Sequence, residues 1–281
     1  MRSVMMVCLA LLLPACSSVF FYPQRMLVLT PQVAGLEYED ITLHAADGVR
    51  LHAWYLPAQG EMRGTVLFLH GNGGNVSTQL AAVYWLPARG YAVLMPDYRG
   101  YGLSEGEAAL PGALRDVEAA LAWLDARPEV AEHGMVVLGH SLGGVLAVPA
   151  VVQSSHRDHL RAAIIVSAFS TYRSIAREKL GQFWLTWPLQ WPLSLTVINR
   201  YSPLYTIAEL APTPLLIIHS DADVIVPVHH SDVLYAAARE PKMYWRLPGG
   251  NHESGLAEEE NRGSLVGWLD QVFHHQVSNR E

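Results

Sequence analysis

The apolar positions of this chain come in short blocks. "GTVLFLH", "YAVLMPD", "MVVLGH", "AAIIVSA", "PLLIIHS" and "KMYWRLP" follow one another, mostly separated by helix-length segments. The first block is apolar almost throughout, as strands buried on both faces are. Ahead of these six, "LEYEDITLHA" and "VRLHAWYLP" flank Asp47-Gly48, a two-residue hairpin signal. Two segments carry a helical stripe instead. Leu114, Val117, Leu121 and Leu124 share one face of 112–124, and Leu265, Trp268, Leu269, Val272 and Phe273 do the same near the C-terminus. Glu258, Glu259 and Glu260 stand ahead of that last stripe, where negative charge favours a helix start. A hairpin followed by β–α alternation predicts an α/β fold: a mostly parallel, eight-stranded sheet with helices on both faces.

One interval breaks the alternation. Between "AAIIVSA" and "PLLIIHS" the chain runs from Phe169 to Thr213, more than one crossover helix needs. It contains "FWLTWPLQWPLSL", with Trp184, Trp187 and Trp191 spaced by three and four, so that in a helix they would share a face. Pro188 and Pro192, with Gln190 between them, rule out a membrane span. A helical lid over about 168–208 is expected, its tryptophans forming a substrate-binding wall above an apolar cleft. Packing of the same residues on the sheet is the alternative.

The N-terminus has a different character. Arg2 precedes an apolar run over 4–13, too short to span a bilayer and suited to a signal-peptide core. It ends in Leu13-Pro14-Ala15-Cys16, which resembles a bacterial lipobox. Cys8 and Cys16 are the two cysteines of the chain, so a mature protein cut here has no internal disulfide and leaves Cys16 available for lipid. The expected organisation is a lipoprotein signal peptide at 1–15, an aromatic, Pro-punctuated tether at 16–35 and the α/β domain at 36–281. The resemblance implies lipid anchoring in a bacterial envelope, with Ser17 favouring the outer membrane. A secretory signal cut nearby, with Cys16 incidental, is the alternative.

Composition narrows the partners. Apolar residues make up 51% and charged residues 16%, which excludes a disordered chain. A net charge of −7 without a basic cluster argues against nucleic acid.

The chemistry begins in "MVVLGHSLGG". Gly139-His140-Ser141-Leu142-Gly143 is G-x-S-x-G, which chance alone supplies in roughly one chain of this length in ten. Context strengthens it, because a strand precedes the motif and a helical pattern follows. Such a turn holds a serine hydroxyl out above the sheet edge, and flanking glycines make room for it. A serine needs a base, and the base needs an orienting carboxylate, in the chain order Ser, Asp or Glu, His. Asp221 and Asp223 follow "PLLIIHS", and His252 follows "KMYWRLP" in Gly249-Gly250-Asn251-His252. Spacing does not separate Asp221 from Asp223. His229, His230, His274 and His275 are expected in solvent. Grouping the aspartates with His229, His230 or Glu253 yields no recognised metal-ligand spacing. "FLHGNGGN" lacks the Lys-Ser/Thr ending of a P-loop and reads better as a Gly-rich loop whose N–H groups face a developing oxyanion.

"FLHGNGGN", "DYRGYGLSEG", "GHSLGG", "SDADVIVP" and "GGNHE" occur together and in order. Over about 36–273 the chain thereby resembles the α/β-hydrolase superfamily, specifically its serine-aminopeptidase-like, Bem46-type branch. The resemblance implies an α/β-hydrolase fold and a Ser141–Asp223–His252 triad, the acid lying four residues before the proline of the Val-Pro pair. It also implies an oxyanion hole at the N–H groups of Asn72 and Leu142, and a structural role for Asp97 and Arg99. The expected activity is hydrolysis of an acyl bond in a small-molecule substrate, most simply a carboxylic ester, without cofactor or metal. Amide or thioester hydrolysis is the second reading, and a non-enzymatic envelope scaffold the third.

Overall fold

The structure, a computed structural model, describes residues 17–274. Its strands are β1 (Glu39–His44), β2 (Arg50–Leu56), β3 (Gly64–Leu69), β4 (Tyr91–Pro96), β5 (Met135–His140), β6 (Leu160–Val166), β7 (Leu215–Ser220) and β8 (Lys242–Leu247). They form one sheet in the order β1-β2-β4-β3-β5-β6-β7-β8. β2 runs antiparallel to β1 and β4, and every other neighbouring pair is parallel. The eight-stranded α/β sheet is thus the one expected. At its first corner Gly48 adopts φ +84°, a left-handed conformation that glycine takes without cost, and its N–H donates to Ala45 O at 2.8 Å.

The helices are α1 (Val76–Gln79), α2 (Gly112–Asp125), α3 (Pro128–His133), α4 (Leu142–Gln153), α5 (Tyr172–Gln182), α6 (Gln190–Leu195), α7 (His229–Ala237), α8 (Ser254–Ala257) and α9 (Glu259–His274). The sheet buries both faces. Leu67 and Leu69 of β3 join one core with Val137, Ile165 and Ile217, against α2 and α4. Val66 and Phe68 join the other with Val136, Ile164 and Leu216, against α9. Side chains alternate across a strand, so a run apolar at every position is what burial of both faces demands. None of the described helices is long and apolar enough to cross a membrane.

Strand order places the functional edge. The chain leaves β3 for β4 on one side, then returns past β3 to β5 on the other. At such a switch the loops leaving the two strands diverge and open a crevice beyond their carboxyl ends. The loops after β3 and β5 are "HGNGG" and the turn at Ser141.

The 168–208 interval holds α5, a 3-10 turn at Trp187–Leu189 and the short α6. Pro188 and Pro192 sit where a continuous helix would need their N–H groups, so the chain advances in short turns. The described part of the tether segment packs on the domain. Phe21 is buried in the core, and the Asn75 amide donates to Gln24 O and Met26 O. Cys16, the signal segment 1–15 and His275 lie outside the described residues.

Candidate active site

Ser141 adopts φ 52° and ψ −116°, a strained combination for a non-glycine residue. Its N–H donates to Val166 O at 2.8 Å, and its carbonyl accepts from Val145 N–H, the first turn of α4. The flanking glycines are required by contact. A Cβ on Gly139 would lie 2.6 Å from the Gly143 carbonyl oxygen, and one on Gly143 would collide with the Leu69 carbonyl at the end of β3. From Gly134 through Val151 every residue is buried except Ser141.

The residues after β7 and β8 meet beside it. His252 Nδ1 donates to Asp223 Oδ2 at 2.6 Å. The other oxygen, Oδ1, accepts from the N–H groups of Ile225 at 2.8 Å and Val226 at 2.9 Å. Burial pushes the Asp223 carboxyl up, but hydrogen bonds from His219, His252 and Val226 N–H outweigh this and hold it well below the ordinary carboxylate range. Asp221 goes elsewhere: it is exposed, and its Oδ1 accepts from Gly249 N–H at 2.7 Å. Of the two aspartates that spacing could not separate, Asp223 is the one joined to His252. No hydrogen bond connects Ser141 Oγ with His252 among the described residues. Such bonds are often long before substrate binds.

Across the crevice, a Cβ on Gly71 would lie 3.5 Å from Ser141 Cβ, so the Gly-rich loop rests against the serine turn. The Asn72 side chain faces away from the chemistry. Its Oδ1 accepts from Tyr22 N–H at 2.8 Å and Tyr101 OH at 2.7 Å, while Nδ2 donates to Phe20 O at 2.8 Å. The main-chain N–H of Leu142 stands at the first position of α4, where a helix offers it no internal partner.

Several residues at this edge escaped the sequence reading. His219 is fully buried; its Nε2 donates to Val226 O at 2.8 Å and lies 3.2 Å from Asp223 Oδ2. The His252 carbonyl accepts from Ser167 Oγ at 3.0 Å and from His140 Nε2 at 3.2 Å. Ser167 is the second non-glycine residue with a left-handed backbone, at φ 53°. His219 lies i, i+4 from Asp223 and could have been flagged. Ser167 and His140 reach His252 across 85 and 112 positions, for which no local signal exists. Asp97 and Arg99 brace the frame. Asp97 Oδ1 accepts from Val76 N–H, and Arg99 bridges Asp116 and Asp47.

His230 corrects an expectation. It is buried, not solvated, because its ring inserts between α5 and the loop after β6. Nδ1 accepts from Ser170 N–H at 3.2 Å, so Nε2 carries the proton toward Glu178 Oε2 at 3.3 Å. His229 and His274 are exposed as expected. Among the described residues, His140 with His252 and Glu253, and Glu178 with His229 and His230, come close enough for a cation. His140 Nε2 and His230 Nε2 are both committed as N–H donors, which leaves neither lone pair at the shared point free. The tryptophans are not packed on the sheet. Trp184, Trp187 and Trp191 are 78%, 60% and 62% exposed, and Arg177 lies over the Trp191 ring at 4.2 Å.

The family described as "Serine aminopeptidase, S33" matches residues 60–205. The uncharacterized protein YfhR of Salmonella typhi is 37% identical over 262 residues, covering 89% of this chain and 85% of its own. Protein bem46 of Schizosaccharomyces pombe is 29% identical over 233 residues, covering 79% and 73%. In three dimensions the Pyrococcus furiosus esterase Pf2001 superposes with a TM-score of 0.69 at 23% identity, covering 89% and 96%, which speaks to the fold alone. Matched over more than half of its length, with the same fold and with relatives along most of its sequence, this chain belongs to the serine aminopeptidase, S33, family of α/β-hydrolases.

Proposed function

We propose that this protein is a serine esterase. Ser141 Oγ attacks the acyl carbon while His252 Nε2 takes its proton. Asp223 holds the imidazole tautomer and stabilises the imidazolium that forms. The main-chain N–H groups of Asn72 and Leu142 bind the tetrahedral oxyanion. Collapse expels the alcohol, protonated by His252, and leaves an acyl-serine. Water, deprotonated by the same histidine, then releases the acid and frees Ser141.

The observation that carries this reading is the left-handed backbone of Ser141, the one unburied residue between Gly134 and Val151, set beside a 2.6 Å Asp223–His252 hydrogen bond. The ester is put first because the solved structures that share this fold include esterases. A fluorophosphonate probe tests the mechanism: wild type labels and Ser141→Ala does not. The same variant loses roughly 10⁴-fold or more in ester hydrolysis with its fold intact. Near-normal turnover by Ser141→Ala overturns the assignment, and a panel of matched esters, thioesters and peptides decides the acyl bond.

The lipobox-like "LPAC" supports lipidation of Cys16 and an outer-membrane position in a bacterial envelope. Mass spectrometry of the mature chain tests it: the acylated mass is expected at Cys16 and is lost in Cys16→Ser. An unmodified chain beginning elsewhere removes the claim.

A further inference from the structure

The lid carries a surface that the proposed chemistry does not use. Three tryptophans, with Leu185, Leu189 and Leu195, stand more than half exposed between the end of α5 and the end of α6. Toward the acid, Val224 and Ile225, next to Asp223, are also 77% and 51% exposed, and Lys179 Nζ of α5 donates to Val224 O at 3.5 Å. Soluble monomers rarely leave so many large apolar side chains of one short segment in water without a role.

Charge identifies what covers it. Residues 168–208 hold Arg173, Arg177, Lys179 and Arg200 against Glu178 alone, a net +3. The whole chain is at −7, so the remainder is at −10. The segment that carries the exposed tryptophans is therefore net positive in an otherwise acidic protein. At the end of α6 an open groove of about 440 Å³ is lined by Leu195, Arg173, Asn199, Arg200 and Tyr205, so two arginines stand beside this surface. Tryptophan and basic residues together are the composition of an interface with anionic lipid. The indole sits at headgroup depth, and each lysine or arginine adds attraction to the negative surface.

The start of the lid also packs on the first described residues. Phe20 packs edge-on against Tyr172, the first residue of α5, with ring centroids 5.0 Å apart, and also contacts Phe169.

We propose that the lid is a docking surface for an anionic phospholipid bilayer. It seats the tryptophans at headgroup level and turns the Asp223–His252 edge toward the lipid. The inference goes beyond the esterase reading and requires neither turnover nor acylation of Cys16.

Brominated phospholipid vesicles test it on the full chain, since the five remaining tryptophans, Trp54, Trp85, Trp123, Trp245 and Trp268, are buried or half-buried and emission quenching reads the lid. Brominated phosphatidylglycerol vesicles are expected to quench wild type and Ser141→Ala equally, and brominated phosphatidylcholine vesicles much less. Lys179→Ala/Arg200→Ala keeps all eight tryptophans and is expected to lose about half or more of the quenching, with unchanged circular dichroism and hydrolysis of a water-soluble acetyl ester. Equal quenching by both lipids, or quenching unchanged in the double variant, overturns the proposal. A concentration-dependent blue shift without lipid, with no quenching in its presence, also overturns it and assigns the face to a second copy of the chain.

Discussion

Ser167 donates its hydroxyl hydrogen to the main-chain carbonyl of His252 at 3.0 Å. Both residues lie just beyond the carboxyl ends of strands, β6 and β8, and β7 runs between those strands. The bond, with that from His140, fixes the backbone of the loop that carries the imidazole. A side-chain hydrogen bond of this kind contributes about 1 kcal/mol, and its loss lets the ring wander from the serine.

Ser167→Ala is therefore expected to lower kcat roughly five-fold with KM nearly unchanged, because ground-state substrate contacts are untouched. Ser167→Gly relieves the left-handed backbone but also lacks the hydroxyl, so it is expected to match the alanine variant. Steady-state kinetics on a short soluble ester checks this. Recovery in the glycine variant would assign the defect to backbone strain instead of the lost bond.

The two neighbouring aspartates are expected to behave differently. Asp223→Asn replaces an acceptor of the His252 proton and is expected to cost on the order of 10⁴ in kcat. Asp221→Asn touches a bond to Gly249 N–H and is expected to cost little. The ratio of kcat for the two variants on one substrate is the measurement, and the reverse ranking moves the orienting role to Asp221.

His230 predicts a pH dependence of stability. Burial, the largest cause, pushes its pKa down from 6.5 to about 4; Glu178 opposes the shift, and His229 and His219 add to it. Between these values the unfolded chain takes up a proton that the folded chain refuses. The contribution is complete above pH 6.5 and is lost as pH falls toward 4, by about 3 kcal/mol. Asn can place an oxygen where Nδ1 accepts from Ser170 N–H, so His230→Asn is expected to flatten this slope. Urea midpoints across that range, wild type against variant, show whether it does.

Trp187 separates two uses of the lid. An exposed ring contributes little to folding, so Trp187→Ala is expected to shift stability by less than about 0.5 kcal/mol. If it touches bilayer and not bound acyl chain, the preference among monomeric soluble esters of rising length also stays unchanged. A KM penalty growing by about 0.8 kcal/mol per methylene would return the ring to an acyl-binding wall.

Much of this protein follows from local pattern. Continuous apolar runs in β3 to β7 imply burial on both faces, and the glycines around Ser141 imply a turn too tight for a Cβ, because backbone geometry and side-chain size act over a few residues. The alternatives that stayed open all involve distance. Asp221 and Asp223 have nearly the same spacing to His252, and the loop conformation after β7 turns one carboxylate inward and the other toward Gly249. His230 looks like a surface residue at a helix start until α5 packs over it. Trp184, Trp187 and Trp191 fit a helical face on paper, but two prolines break the helix and leave the rings in solvent. Ser167, His140 and His219 converge on the Asp223–His252 pair because the sheet sets their strands side by side. Strand order is decided by how all the apolar faces are buried together, and no short window of sequence contains that sum.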